Sequence, residues 1–256
     1  MELPLTRGVA SRVDVLPEAG STNQVLRELA DDTAAWPHLS VLLTDHQTSG
    51  RGRLGRVWTA PAGASIAVSV LLRDLPAEVD ARGWIPLAAG LAMTDAVADQ
   101  LPDSDVSVKW PNDVLVDERK ICGILAEATA DAVIVGTGVN TAMTASELPV
   151  PTATSFAVLG VDADVDRLLA GYLTRLRSSL AALAASGDAV TSGLHAVVSA
   201  RCSTIGRDVR VSLPGDRVLE GRASGLDADG RLVVVAEGVE HAVSAGDVVH
   251  VRPVEG

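Results

Sequence analysis

The segment "KWPNDVLVDERK", residues 109–120, holds both lysines of the 256-residue chain, Lys109 and Lys120, and arginine supplies every other basic side chain. A lysine ammonium is a compact charge with three donors, able to approach a crowded phosphate or carboxylate end-on where a planar guanidinium does not fit. Lysines retained in an arginine-rich background mark a candidate anion site. Between them Pro111 ends the preceding strand, and Asn112 and Asp113 sit at a turn between two apolar runs, where they can present an amide and a carboxylate to a ligand. A plain hairpin with solvated lysines accounts for the same residues, and Asp117 and Glu118 read as a solvated turn.

A second cluster, "GRGRLGRVW" at 50–58, places Arg51, Arg53 and Arg56 on glycine-rich backbone. Such a loop suits closure over a phosphate-like ligand, and Trp58 can stack on an aromatic base. The alternative is a solvated basic loop beside a core tryptophan. "GRGRLG" also satisfies G-x-G-x-x-G, but a dinucleotide site needs a helix to open there so that its N-terminus faces a pyrophosphate. Pro61 and Gly63 lead into a strand instead, so no NAD(P) site is expected.

The elements that must position these groups follow from periodicity. "STNQVLRELADD" reads as a helix capped by Ser21, Thr22 or Asn23, with Val25, Leu26 and Leu29 on one stripe. Residues 39–44 read as a buried strand, and 65–72 ("SIAVSVLL") alternate as a half-exposed strand would. A helix is predicted over 84–101, strands over 106–110, 121–128 and 132–139, and a long core-packing helix over 164–186. From Thr204 the pattern changes to short β segments with turns at Gly215-Asp216, Asp229-Gly230 and Gly246-Asp247, as in a small SH3-like barrel. The predicted architecture is α+β: a mixed sheet flanked by helices over residues 1–203, then a small β domain over 204–256.

Composition narrows the function classes. A net charge of −12 argues against a nucleic-acid surface, and no window approaches a membrane span. Cys122 and Cys202 lie far apart, with no spacing for a zinc site or a disulfide framework, so no metal-ligand cluster is expected and a reducing cytoplasm fits best.

Taken together, "STN" at 21–23, "GRGRLGRVW" and "KWPNDVLVDERKICGIL" (109–125) closely resemble the biotin protein ligases, and "GTGVN" (136–140) and the C-terminal β segments extend the likeness over nearly the whole chain. The resemblance implies a class II synthetase-like fold and a two-step reaction. Biotin and Mg-ATP give biotinyl-5′-AMP and pyrophosphate, and a lysine of the biotin carboxyl carrier domain of an acyl-CoA carboxylase then attacks, releasing AMP. It implies that Ser21, Thr22, Asn23, Gln47 and Gly123 contact biotin, and that Arg51, Gly52 and Arg53 form a ligand-ordered loop. Lys120 would meet the biotin carboxylate and the adenylate phosphate. Arg53, Trp58, Lys109, Asn112, Asn140 and Arg252 would contact ATP or its metal, and Asp113 would assist the incoming lysine. Leu54 stands where the family pattern has a second arginine, which leaves that one contact without a counterpart.

Some family members carry an N-terminal DNA-binding domain. About twenty residues precede Ser21, so no DNA binding is expected. A lipoate or octanoate ligase shares the general fold and is the nearest enzymatic rival; a non-catalytic module that docks a partner through its barrel and arginine loop is the rival of another class.

Overall fold

The structure is a computed structural model describing residues 1–213, 215, 217–244 and 247–250. Arg252, Asp216 and Gly246, each singled out in the sequence, lie outside the described residues. The chain runs through α1 (Pro4–Val9), β1 (Arg12–Val15), α2 (Thr22–Leu29), β2 (Ser40–Thr44), β3 (Gly50–Arg51), β4 (Val57–Trp58), β5 (Ser65–Leu72) and α3 (Ile85–Ala98). It continues through β6 (Val106–Lys109), β7 (Asp113–Val116), β8 (Arg119–Ala128), β9 (Val133–Asn140), α4 (Val165–Ser186) and α5 (Leu194–Arg201). The C-terminal strands are β10 (Asp208–Leu213), β11 (Arg217–Leu226), β12 (Leu232–Ala236), β13 (Val239–Val243) and β14 (Asp247–His250).

Seven strands form a mixed sheet in the order β1-β2-β5-β9-β8-β7-β6. The β1–β2 pair is parallel, and every other pair is antiparallel. Helix α3, apolar on nearly all sides, is buried between the sheet and α4, as a helix without a polar face must be. Leu168, Leu173, Leu176 and Leu180 of α4 complete this side of the core. On the opposite face α2 packs Leu26 against Leu42, Leu71 and Ile134.

Strand β5 departs from the sequence reading: it is buried along its whole length rather than half-exposed. It occupies the middle of the sheet, with α3 and α4 over one face and α2 over the other. Its alternation sorts large from small residues, not buried from solvated ones. Val68 and Val70 enter the main core, while Ala67 and Ser69 face the side that carries α2. Elements α1, β1, β3, β4 and α5 have no counterpart in the sequence reading, and none is longer than eight residues.

The C-terminal strands form a five-stranded antiparallel sheet in the order β13-β12-β11-β10-β14. Two buried tryptophans fasten it to the larger unit. Trp84 Nε1 donates to the Ala228 carbonyl at 2.7 Å, and Trp110 Nε1 donates to the Gly230 carbonyl at 3.0 Å, both in the turn between β11 and β12. The Asp117-Glu118 turn is exposed, as expected, and Glu118 pairs across solvent-facing surface with Arg207 at 2.7 Å, next to the start of the small sheet. Among the described residues no helix is long and apolar enough to cross a membrane.

Candidate active site

A cavity of about 320 Å³ opens on the face of the sheet that carries α2. Small residues create it. A β-carbon on Gly136 would overlap the Asn23 carboxamide, and one on Gly138 would lie 2.8 Å from Cε2 of Trp58. The glycines of "GTGVN" therefore let the N-terminus of α2 and the Trp58 indole lie directly on β9.

One end of the cavity is cationic. Lys120 Nζ lies 2.6 Å from Asp113 Oδ1, and this oxygen is covered from solvent without a well-aligned hydrogen bond. The β6–β7 connection and the start of β8 bring the pair together: Asp113 sits opposite Gly123 in the ladder, and a bulge between Val114 and Leu115 sets Lys120 opposite Leu115. A β-carbon on Gly123 would sit 3.0 Å from Lys120 Nζ, so the absence of one makes room for the ammonium group. With Lys120 still 42 % exposed and Asp113 21 %, the pair contributes little to stability, and its interest is chemical.

Lys109 lines the same end. Burial lowers its pKa from the ordinary lysine range; nearby Asp113 opposes that shift, and Lys120 and Arg56 add to it. Arg53 donates to Asn112 Oδ1 at 2.9 Å while Asn112 Nδ2 donates to the Ile124 carbonyl at 2.9 Å, so the Asn112 carboxamide is fixed in one orientation. Burial also lowers the pKa of Arg53. His250, on β14, is pushed down to about 4 by its burial and by Lys109 and Arg207, and its Nε2 lies 3.1 Å from Thr204 Oγ1. Burial is the larger cause, and the neighbouring Lys109 and Arg207 charges add to it. Behind this end of the cavity, burial keeps the Cys122 thiol well above the usual thiol range, which makes it an inert core residue.

The other end is neutral and hydrogen-bonded. Ser21 is the N-cap of α2, and its hydroxyl accepts from Gln24 N at 3.4 Å. Thr22 N donates to Gln47 Oε1 at 2.9 Å, and Asn23 Oδ1 accepts from Ser69 Oγ at 2.6 Å. Asn23 Nδ2 donates to Glu127 Oε2 at 2.7 Å.

The arginine loop covers the cavity between these ends. Strands β3 and β4 form a miniature hairpin around a 3₁₀ turn, Arg53–Gly55, with Leu54 at φ 55°. No helix opens after "GRGRLG", as expected. Arg51 reaches back to Gln24 Oε1 at 3.2 Å, and Trp58 stands against the Gly138 position.

Of the residues singled out in the sequence, Ser21, Thr22, Asn23 and Gln47 gather at the neutral end, and Arg51, Gly52, Arg53 and Trp58 in the covering loop. Lys109, Asn112, Asp113, Lys120 and Gly123 gather at the cationic end. Asn140 stands apart: it is buried at the end of β9 and donates to the Thr154 carbonyl at 2.9 Å, away from the wall that the described residues form. Ser69 and Glu127 escaped the sequence reading. The signal for both was parity, because Ser69 follows Ala67 on the small-residue face of β5, and Glu127 follows Gly123 and Leu125 on the cavity face of β8.

Comparison with known proteins fits this geometry. Residues 16–140 match the Biotin/lipoate A/B protein ligase family, and residues 204–251 match the Biotin protein ligase C terminal domain. The chain is 42 % identical over 243 residues to the biotin--[acetyl-CoA-carboxylase] ligase of Mycobacterium tuberculosis, covering 94 % of this chain and 90 % of that protein. It is 30 % identical to the bifunctional ligase/repressor BirA of Escherichia coli, covering 92 % of this chain and 73 % of that protein. Among solved structures, a biotin protein ligase from Aquifex aeolicus in complex with biotin and ATP superposes with a TM-score of 0.77 at 26 % identity, covering 94 % of this chain and 99 % of that one.

Proposed function

The chain belongs to the biotin/lipoate A/B protein ligase family, and on that premise we propose that it activates biotin with ATP and transfers it to a lysine of the biotin carboxyl carrier domain of an acyl-CoA carboxylase. The observation that carries this reading is the polarity of the cavity, cationic at one end and neutral but hydrogen-bonding at the other. Biotin has the matching asymmetry, a reactive carboxylate at one end and an uncharged ureido ring at the other. Octanoate or lipoate has no ureido-like ring to exchange hydrogen bonds with Thr22, Asn23 and Gln47, the polar side chains that line that end, and so leaves their desolvation uncompensated.

In the first step a carboxylate oxygen of biotin attacks the α-phosphorus of ATP and pyrophosphate leaves. Two anions must meet, and charge builds on the phosphoryl oxygens as they do. Lys120 and Lys109 are fixed donors aimed at that charge; one such donor is typically worth about 3–4 kcal/mol of barrier. Arg53 holds Asn112 toward the phosphates, and Trp58 offers a face for the adenine. Mg2+ enters with ATP: Asn112 and Asp113 are oxygen donors of the kind a phosphate-bound Mg2+ uses, and the ion would neutralise phosphate charge there. Arg252 belongs to the same reading as a contact from the small domain, as does the division of the chain between residues 203 and 204.

In the second step the amine of the carrier lysine attacks the mixed anhydride carbonyl and AMP leaves. The amine must shed a proton, although its ordinary pKa is about 10.4. Asp113 accepts that proton, with Lys120 2.6 Å away fixing the position of its carboxylate. The 50–58 loop keeps water from the anhydride between the two steps.

The test is ATP-dependent transfer of labelled biotin to a purified carrier domain, with octanoate as competitor and Lys120→Ala as control. Transfer that is lost in the control supports the reading. Octanoate transfer without biotin transfer would move the protein to the lipoate branch, and no biotin-dependent pyrophosphate release would revive a binding module.

A further inference from the structure

Four side chains at the neutral end form a directed chain whose sense is set by a residue outside the cavity wall. Glu127 Oε1 accepts from Arg27 at 2.8 Å, and its Oε2 accepts from Asn23 Nδ2 at 2.7 Å. A carboxylate has no proton to give, so the Asn23 carboxamide has to present its NH₂ to Glu127. The second hydrogen of that NH₂ is directed at the Leu125 carbonyl, 3.3 Å away, which occupies both donors of Asn23. Its oxygen then faces Ser69, 2.6 Å away, and Ser69 must be the donor there. The Ser69 oxygen, 2.8 Å from Thr22 Oγ1, keeps its lone pairs for other donors. Nor can the carboxamide swing aside, because it lies against the Gly136 position of β9.

We propose that Glu127, neutralised by Arg27, is a positioning residue that fixes the neutral end of the cavity as a hydrogen-bond acceptor toward the ligand. With its donors spent, Asn23 has only an oxygen lone pair left to offer, while Ser69, buried behind it, holds that oxygen in place. A ligand ring is therefore selected by its N–H groups at this point, not by its carbonyl. This rests on the biotin reading, in which the carboxylate occupies the cationic end and the ureido N–H groups consequently face Asn23.

The discriminating variant is Glu127→Gln, which keeps the shape but can donate as well as accept. Only the longer contact to the Leu125 carbonyl then still favours the original sense of Asn23, so the turned-over form with Nδ2 toward the cavity becomes populated. Biotin-dependent exchange between ATP and pyrophosphate is measured with biotin and with its cyclic carbamate analogues, in which one ureido N–H is replaced by a ring oxygen. Glu127→Gln should raise the KM for biotin about tenfold, equivalent to about 1.4 kcal/mol, with kcat within about twofold. It should also narrow the preference for biotin over the better carbamate about tenfold in kcat/KM. Arg27→Met, which leaves the acceptor in place, should shift KM less than about threefold and keep the preference. An unchanged preference in Glu127→Gln overturns the relay, as does a kcat loss with KM unmoved. If wild-type protein shows no biotin-dependent exchange, the functional reading falls and takes the relay with it.

Discussion

At one end of the cavity Lys120 meets Asp113 at 2.6 Å within reach of Lys109 and Arg53; at the other, Thr22, Asn23, Ser69 and Gln47 satisfy one another through neutral hydrogen bonds. Both ends rest on the same two strands, β8 and β9, yet they are built by different means. The cationic end uses net charge on partly buried side chains, and the cost of burial shows in the lowered pKa values of Lys109 and Arg53. The neutral end uses direction: each group has one role, donor or acceptor, imposed by its neighbour. Charge in a dry site acts on whatever charge develops in a reaction, so the first end is suited to the barrier. Directed hydrogen bonds discriminate between ground-state ligands, so the second is suited to selection.

Substitutions should separate the two. The largest effect is expected for Asp113→Asn, which removes the proton acceptor but leaves the lysines. Transfer from preformed biotinyl-5′-AMP to the carrier domain should slow by roughly 10²–10⁴ in single-turnover measurements, with adenylation affected far less. Slowed adenylation with transfer untouched would remove Asp113 from the second step.

A smaller effect is expected midway along the cavity. Gly138→Ala places a methyl 2.8 Å from the Trp58 ring, and since Trp58 is carried by the covering loop, the ring will move before β9 does. The KM for ATP should rise about tenfold, close to the 1.4 kcal/mol of a displaced stacking contact, with the KM for biotin nearly unchanged. A biotin effect as large as the ATP effect would mean that the two ends are not independent.

The smallest effect concerns stability. His250 titrates near 4 when folded and near its ordinary 6.5 when unfolded, so between those values the unfolded chain binds more protons. Stability gained from the neutral imidazole is complete above about pH 6.5 and is lost as pH falls toward 4. On going from pH 7 to pH 5 this single group, discounted for its partial exposure, should cost on the order of 1 kcal/mol, and His250→Gln should show a correspondingly flatter dependence in chemical denaturation. Equal slopes for the two proteins would show that burial does not hold the His250 imidazole neutral in the folded chain.

The same contrast explains how much was legible in the sequence. Lysine is scarce in this chain, so Lys109 and Lys120 stood out by type, and the motif around them carried Asn112 and Asp113 along. The long elements α3, α4, β5 and β9 were readable from periodicity because each is long enough to display one. Ser69 and Glu127 are ordinary residues in ordinary strand positions; what they do depends on which neighbours the fold supplies, and β5 meets β9, and Asn23 of α2 meets Glu127 of β8, only through contacts distant in sequence. The burial of β5 was misread for a related reason, since alternation of size in a central strand imitates alternation of exposure. Asn140 shows the limit of motif reasoning: it closes the "GTGVN" run, yet its side chain donates to Thr154 and is directed into the structure.

The account turns on Lys120 acting through its shape and position as well as its charge. The most direct measurement is biotin-dependent ATP–pyrophosphate exchange by Lys120→Arg at saturating biotin. Lys120 meets Asp113 end-on at 2.6 Å over the bare Gly123, an approach that a planar guanidinium does not reproduce, so kcat should fall by roughly 10²–10³ while the KM for biotin, set largely at the far end, stays within about tenfold. Near-normal exchange by Lys120→Arg would contradict the account.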